Sequence, residues 1–358
     1  MRLLLFDTTA YYPSSPLFLE ALQEFSAKEP RRVRYAFIDE AQFQRGPRSL
    51  AARIVRRLLC RDPIGRSALC RTLLSRARSF RPDLVLICKG GSILPKTLAE
   101  IKQSTGAMLV NYATDDPFNP QVSTRDLVEA IPLYDLYACT KRTIMADVVK
   151  AGCPHVVYVP FAYKPTVHFP EPPATVEEHR RFDSDVAFIG GCDRDRVPFF
   201  RALVKAMPDL KLVLYGGFWN RSLSLRPYWR GLALGRDFRM ALGGTKIAIN
   251  LVRRANRDGH VMRSFEIPAC GGFMLAERTD EHLELFSEGE EAAYFGSPEE
   301  MIDMIRYYLG HESERQRIKG AGRHKVTRGK HAYADRLIEI VDAGERSRDV
   351  YQAQDGTR

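Results

Sequence analysis

The sequence lacks any apolar run near the roughly 18 residues that a bilayer-spanning helix needs, so a chain that does not cross a membrane is expected. The opening Met1-Arg2-Leu3-Leu4-Leu5-Phe6-Asp7 is too short in its apolar part for a signal peptide and reads as a first strand. Seven cysteines occur with no Cys-x-x-Cys pair and no regular spacing. That excludes a disulfide framework and a zinc site, and it fits reduced thiols in the cytoplasm. No cluster has the spacing of a metal-binding set, so no metal is expected. Lysine is missing from Arg45 to Arg81, where eleven arginines face one acid, Asp62. Eleven minus one gives +10, which equals the net charge of the whole chain, so the remainder is close to neutral.

That basic charge concerns partners more than fold. Leu50, Ala51, Ile54, Val55, Leu58 and Leu59 form a helical stripe, with Arg53, Arg56 and Arg57 off it. A second helix, Ser67 to Arg78, buries Leu69, Leu73 and Leu74 and displays Arg71, Arg76 and Arg78. Two surface helices with a solvated basic face are one reading. A peripheral anchor on the inner, anionic face of a membrane is the other. Nucleic acid is disfavoured, because no aromatic platform is interleaved with the arginines.

What is present is core. With 358 residues and 45% hydrophobic content, two domains are expected. Strands at Leu3–Phe6, Val33–Ile38, Asp83–Lys89, Met108–Tyr112, Tyr134–Cys139 and His155–Phe161 alternate with helices, which predicts a Rossmann-like N-terminal domain over 1–164. Residues 165–185, with Pro165, Pro170, Pro172 and Pro173, read as a semi-stiff linker in which His168 is exposed. A second Rossmann-like domain is expected over 186–326, a terminal helix over 327–343 and a frayed polar tail over 344–358.

Several residues could carry chemistry. Asp115 and Asp116 follow a strand end, where an acid–base group or an Asx turn before Pro117 fits equally well. Gly190 and Gly191 follow the buried strand from Asp185, and Arg194 and Arg196 stand just before a helix. Guanidinium groups at a helix start favour a diphosphate. Trp219 could be core or a lid over a nucleobase. Lys246 and Arg253 flank the next strand. A polar loop, Asn256 to His260, then leads to a short helix carrying Arg263 and Glu266, which ends at Cys270-Gly271-Gly272 before the buried strand Phe273–Ala276. Arg263 with Glu266 could be only an i, i+3 ion pair, and His260 either a turn residue or a polarising group.

The stretch Phe-Glu-Ile-Pro-Ala-Cys-Gly-Gly-Phe-Met-Leu (265–275), with Arg-Asp-Gly-His-Val-Met-Arg before it and Ala-Glu-Arg-Thr-Asp-Glu-His after it, resembles the C-terminal signature of CgeB-like, spore-maturation-type glycosyltransferases. These are a branch of the GT-B superfamily, and the likeness runs from about Asp185 to Tyr333. It implies an α/β, GT-B-like fold: two Rossmann-like domains, an interdomain cleft and a C-terminal helix crossing back to the N-terminal domain. It further implies that Glu266, which stands like the second Glu of the Glu-x7-Glu motif of retaining GT-B families, holds the ribose of a nucleotide-sugar. Eight residues earlier stands Asp258 rather than Glu, so the sugar-facing half is altered.

The expected activity is transfer of a sugar from a nucleotide-diphosphate-sugar, a UDP-sugar first, to a glycan, lipid-linked or envelope acceptor. The donor is a substrate, no cofactor is expected, and cations stabilise the leaving diphosphate. The expected nucleotide contacts are Gly190, Gly191, Arg194, Arg196, Lys246, Arg253, Glu266, Gly271 and Gly272. The expected catalytic groups are Asp115, Asp116, Asp258, His260 and Arg263. A nucleotide-sugar epimerase or other enzyme on this fold, and a non-catalytic glycan- or nucleotide-binding protein, remain alternatives.

Overall fold

Unbroken Leu, Val, Ile and Phe runs make strands that are apolar on both faces, and such strands belong in parallel sheets covered by helices. In the computed structural model, which describes residues 1–10, 15–43 and 65–355, they build two all-parallel sheets. The helix expected at 50–59, with Arg53, Arg56 and Arg57, lies outside the described residues.

One compact unit comprises Met1–Pro160 and Tyr333–Arg358, the other Phe161–Ala332. The first holds β1 (Arg2–Asp7), β2 (Arg34–Asp39), β3 (Leu84–Cys88), β4 (Met108–Ala113), β5 (Leu136–Cys139) and β6 (Val156–Tyr158) in the order β2-β1-β3-β4-β5-β6. The final helix completes this unit. Tyr333 lies edge-on to Phe18 (5.6 Å), which meets Tyr112 in the same manner (5.0 Å), and Leu337 and Ile340 are buried. That helix runs Tyr333–Asp355, starting later than expected and continuing through most of the stretch read as a frayed tail. Residues 344–348 hold helix because they have partners: Ser347 is buried, and Arg348 Nη2 donates to the Asp83 carbonyl (2.7 Å).

The second unit holds β7 (Ser184–Ile189), β8 (Leu212–Tyr215), β9 (Thr245–Asn250), β10 (Met274–Glu277) and β11 (Ala293–Phe295), ordered β11-β10-β9-β7-β8. The order reverses between β7 and β9, and a crevice for a ligand opens outside the carboxyl ends of strands at such a reversal.

The stretch read as a linker, 165–185, lies inside this unit. It contains the helix Val176–Phe182, closed by a Thr175–Glu178 capping box. Its prolines pack rather than space: a Cβ on Gly243 would press on Pro172. Arg236 pairs with Glu171 and Glu178 (2.7 and 2.8 Å), and Arg239 with Glu171 (2.7 Å). The two ends of the unit meet, since Tyr163 bridges to Ala332 and Tyr163 N donates to the His331 carbonyl (3.1 Å).

Candidate functional site

The reversal in the second sheet is bound together by one side chain. Arg196 sits at the start of the helix Val197–Ala206, with only 9% of its surface exposed. Its Nη1 donates to the Gly191 carbonyl and its Nη2 to the Leu251 carbonyl, both at 3.1 Å, so it joins the loop after β7 to the loop after β9. Its guanidinium lies 5.2 Å from the Phe188 ring centre. Burial pulls its pKa down to about 10, with Asp193 opposing that and Arg253 adding to it. Arg196 therefore keeps its charge at neutral pH while two of its nitrogens are spent on main-chain carbonyls.

Around it stand the other charges of the β7 and β9 ends. Arg253 Nε lies 3.5 Å from Asp193 Oδ2, and Asp258 Oδ1 accepts from Asn256 Nδ2 (2.8 Å). Arg194 is exposed. Gly190 and Gly191 form the turn itself. Gly190 N donates to the Tyr215 carbonyl and Cys192 N to the Gly217 carbonyl, so the β7 and β8 loops lie side by side. A Cβ on Gly216, at φ +126°, would overlap the Gly190 carbonyl.

The helix Arg263–Ala269 supplies the carboxylate. Glu266 is buried to 1%. One oxygen pairs with Arg263 Nη1, and Oε1 lies 3.5 Å from His168 Nε2. Arg263 Nε donates to the Ile189 carbonyl at the end of β7 (3.0 Å), and its guanidinium lies over the Phe238 ring (4.6 Å). The i, i+3 pair is thus also a tie between this helix and the carboxyl edge of the sheet. Gly271, at φ +74°, ends the helix. Gly272 donates to the Ile267 carbonyl and is packed so closely that a Cβ would meet Ile267 at 2.9 Å. Both glycines are buried and serve the turn.

His168, read as an exposed linker residue, is 4% exposed beside Glu266. Its Nδ1 accepts from Lys164 N (3.1 Å), which places the proton on Nε2, toward the carboxylate. Burial is the main cause lowering its pKa. No local pattern announces this residue: only the fold brings 168 to 266.

Lys246 stands away from the ligand crevice, Trp219 takes the core reading of its two, and His260 is a buried tie. Lys246 is the second residue of β9, so it stands near the amino edge of the sheet, exposed and paired with Asp185 (2.7 Å). Trp219 is fully buried and its Nε1 donates to the Gly190 carbonyl (2.8 Å), which makes it core rather than a lid. His260 is fully buried with both ring nitrogens engaged: Nε2 accepts from Phe161 N (3.0 Å) and Nδ1 donates to Glu281 Oε2 (2.6 Å). A ring so occupied has no nitrogen to offer a sugar hydroxyl.

A second buried network braces the same helix. Ser264 Oγ accepts from Asn250 Nδ2 (3.0 Å) and donates to His282 Nε2 (2.8 Å), while His282 Nδ1 donates to the Glu277 carbonyl (2.7 Å). Burial pushes the His282 pKa down to about 4.

In the first unit, Asp115 and Asp116 have different partners. Lys89 Nζ lies 2.8 Å from Asp115 Oδ2, past the ends of β3 and β4. Asp116 is buried, and its Oδ1 accepts from Phe118 N (2.9 Å), an Asx turn. Asp-x-Asp occurs at Asp183–Asp185 and Asp193–Asp195. Asp185 is taken up by Lys246 and the Lys211 N–H, and among the described residues no group of three or more His, Cys, Asp or Glu is placed to hold a metal ion.

Comparisons with known proteins give a partial family likeness and a fold. Residues 194–342 match the family model described as "Glycosyl transferase-like", so over that stretch the chain is glycosyl transferase-like in sequence. No curated relative matches the sequence. Among solved structures, sucrose-phosphate synthase from Thermosynechococcus elongatus is similar at a TM-score of 0.66 and 11% identity, over 99% of this chain and 100% of that one. HepE from Anabaena, in complex with UDP and glucose, is similar at 0.62 and 11%, with the same coverage. The lipopolysaccharide outer core galactosyltransferase WaaB follows at 0.58 and 11%, over 96% and 99%. The fold is that of GT-B glycosyltransferases, an α/β architecture of two parallel sheets with flanking helices.

Proposed function

We propose that this protein is a glycosyltransferase of the CgeB-like type. It takes a nucleotide-diphosphate-sugar, a UDP-sugar first, and moves the sugar to a glycan, lipid-linked or envelope acceptor. The observation that carries the reading is the placement of Glu266, Arg263, Arg196 and Arg253 around the carboxyl ends of β7 and β9, at the reversal of the second sheet. The solved HepE complexes with UDP and glucose and with UDP-glucose support a uridine donor.

In this reading Glu266 accepts the ribose hydroxyls. The leaving diphosphate gains negative charge as the anomeric bond breaks, and fixed cations aimed at that charge are the largest stabilising effect such a site offers. Arg194, Arg253 and Arg263 supply those cations. Arg196 holds the two loops that frame the diphosphate and adds its field. Gly191, where a side chain would make only an ordinary contact with the Gly217 carbonyl, lets the backbone of the turn come close to a phosphate, while Gly190 holds the turn through its bond to the Tyr215 carbonyl. His168 is a positioning residue, since it fixes the orientation of the Glu266 carboxylate. Of the acidic pair in the first unit, Asp115 is the candidate base, and Asp116 shapes the turn that presents it. The basic segment Arg45–Arg81 is proposed as a contact with anionic membrane, with cytoplasmic placement.

The test is calorimetric titration with UDP, GDP and dTDP, followed by donor turnover with the matching sugars. Saturable UDP binding and slow release of free sugar from a UDP-sugar are expected. Absence of binding by any nucleotide diphosphate overturns the reading. Conversion of the donor without an acceptor marks an epimerase, and binding without turnover marks a non-catalytic binder.

A further inference from the structure

We propose that the loop following β8, residues 217–236, is a second surface for anionic lipid, built into the unit that carries the candidate donor site. Eleven large apolar residues are exposed among those described, and four of them, Phe218, Leu223, Leu232 and Leu234, fall in this one loop. Leu223 is 83% exposed. The same stretch holds Arg221, Arg226 and Arg230, all exposed, and no carboxylate occurs from Gly216 to Arg236.

Rigidity distinguishes this loop from a stretch that merely failed to fold inward. Trp219 and Leu225 are fully buried beneath it. The Trp219 indole donates to the Gly190 carbonyl and the Trp229 indole to the Gly216 carbonyl, both at 2.8 Å. The returning limb lies along the open edge of β8, through Arg230 N to the Leu214 carbonyl (3.0 Å) and Gly216 N to the Gly231 carbonyl (2.8 Å). Phe218 is held at φ +70°, a conformation that side-chain-bearing residues seldom adopt, with Arg221 stacked over its ring at 4.3 Å. The loop is anchored by buried side chains and hydrogen bonds, yet four large apolar groups face water.

The chemistry selects the occupant. Leucine tips beside arginines and away from acids match the acyl–headgroup boundary of an anionic membrane, where the apolar groups insert and the guanidiniums meet phosphates. Single-stranded nucleic acid asks for several stacking aromatics, whereas three of the four exposed groups are aliphatic. Because the loop hangs from the turn that touches Gly190, such a contact would bring a lipid-borne acceptor to the edge where the donor is proposed to sit.

The test is co-sedimentation with phosphatidylcholine vesicles, with and without phosphatidylglycerol. It compares the natural chain, L223S/L232S/L234S, R221Q/R226Q/R230Q and R53Q/R56Q/R57Q. Unchanged melting temperatures confirm that the variants fold. The natural chain is expected to pellet with phosphatidylglycerol vesicles and to be released by salt. Each arginine removed from the loop is expected to lower the partition coefficient about fivefold, and the leucine variant about tenfold or more. The proposal is overturned if the natural chain does not pellet with anionic vesicles. It is equally overturned if both loop variants pellet like the natural chain, or if the leucine changes alter only self-association in light scattering.

Discussion

Glu266 is a buried carboxylate whose oxygens face a guanidinium and an imidazole, and hydrogen bonds to a charged partner contribute about 1.5–3 kcal/mol each. Glu266→Gln keeps the shape and removes the charge. UDP affinity measured by calorimetry is expected to fall by roughly tenfold or more, and the melting temperature to fall with it because Arg263 loses its buried partner; unchanged affinity would remove Glu266 from the site. Arg196→Ala leaves the Gly191 and Leu251 carbonyls without their donors. Turnover and stability should fall together, by about 2–3 kcal/mol in urea denaturation. A turnover loss with no stability loss would show that Arg196 meets substrate directly. The histidines set a pH response. His282 falls from the ordinary 6.5 to about 4, and His168 is also lowered. Between about 4 and 6.5 the unfolded chain binds protons that the folded chain refuses. Stability is therefore complete above pH 6.5 and is lost as pH falls toward 4, by on the order of 3 kcal/mol at most for His282. Denaturation midpoints measured from pH 7 to 4.5 check this, and a flat profile would contradict it.

Elements were legible where one local rule decides them. The unbroken apolar runs announced β3, β4, β7 and β10, and Cys270-Gly271-Gly272 announced the end of the short helix that bears Glu266. Lys246 was misplaced although its position was readable: a residue near the start of a parallel strand stands toward the edge opposite the ligand crevice. His168 was not readable, because burial of a residue in a proline-rich stretch depends on neighbours far along the chain, and for Trp219 the choice between core and lid depended on them too. The turn pair of β7 and β8 makes a sharp prediction. Gly216→Ala combines φ +126° with overlap of the Gly190 carbonyl. Loss of about 2 kcal/mol or more is expected, with weaker UDP binding because the Gly190–Gly191 turn shifts. Stability and UDP affinity equal to the natural chain would show that the turn adapts.

The chain passes once from the first unit to the second, after Pro160, and once back, before Tyr333. The second unit is thus an insertion whose two ends are joined by the Tyr163–Ala332 bridge. It holds its own sheet and its own buried core, including Phe265, Met240 and Tyr294. Residues 161–332 expressed alone are expected to give a cooperative thermal transition and to bind UDP. A fragment that aggregates or melts without a transition would show that the insertion depends on its host.

The Tyr163–Ala332 closure also sets an order of events on the ribosome. The helix that buries Leu337 and Ile340 against the first unit is made only after every residue of the inserted unit. The half that is translated first is therefore completed last. A chain truncated after residue 332 should therefore keep the thermal transition of the inserted unit and lose that of the N-terminal half, which lacks its final brace.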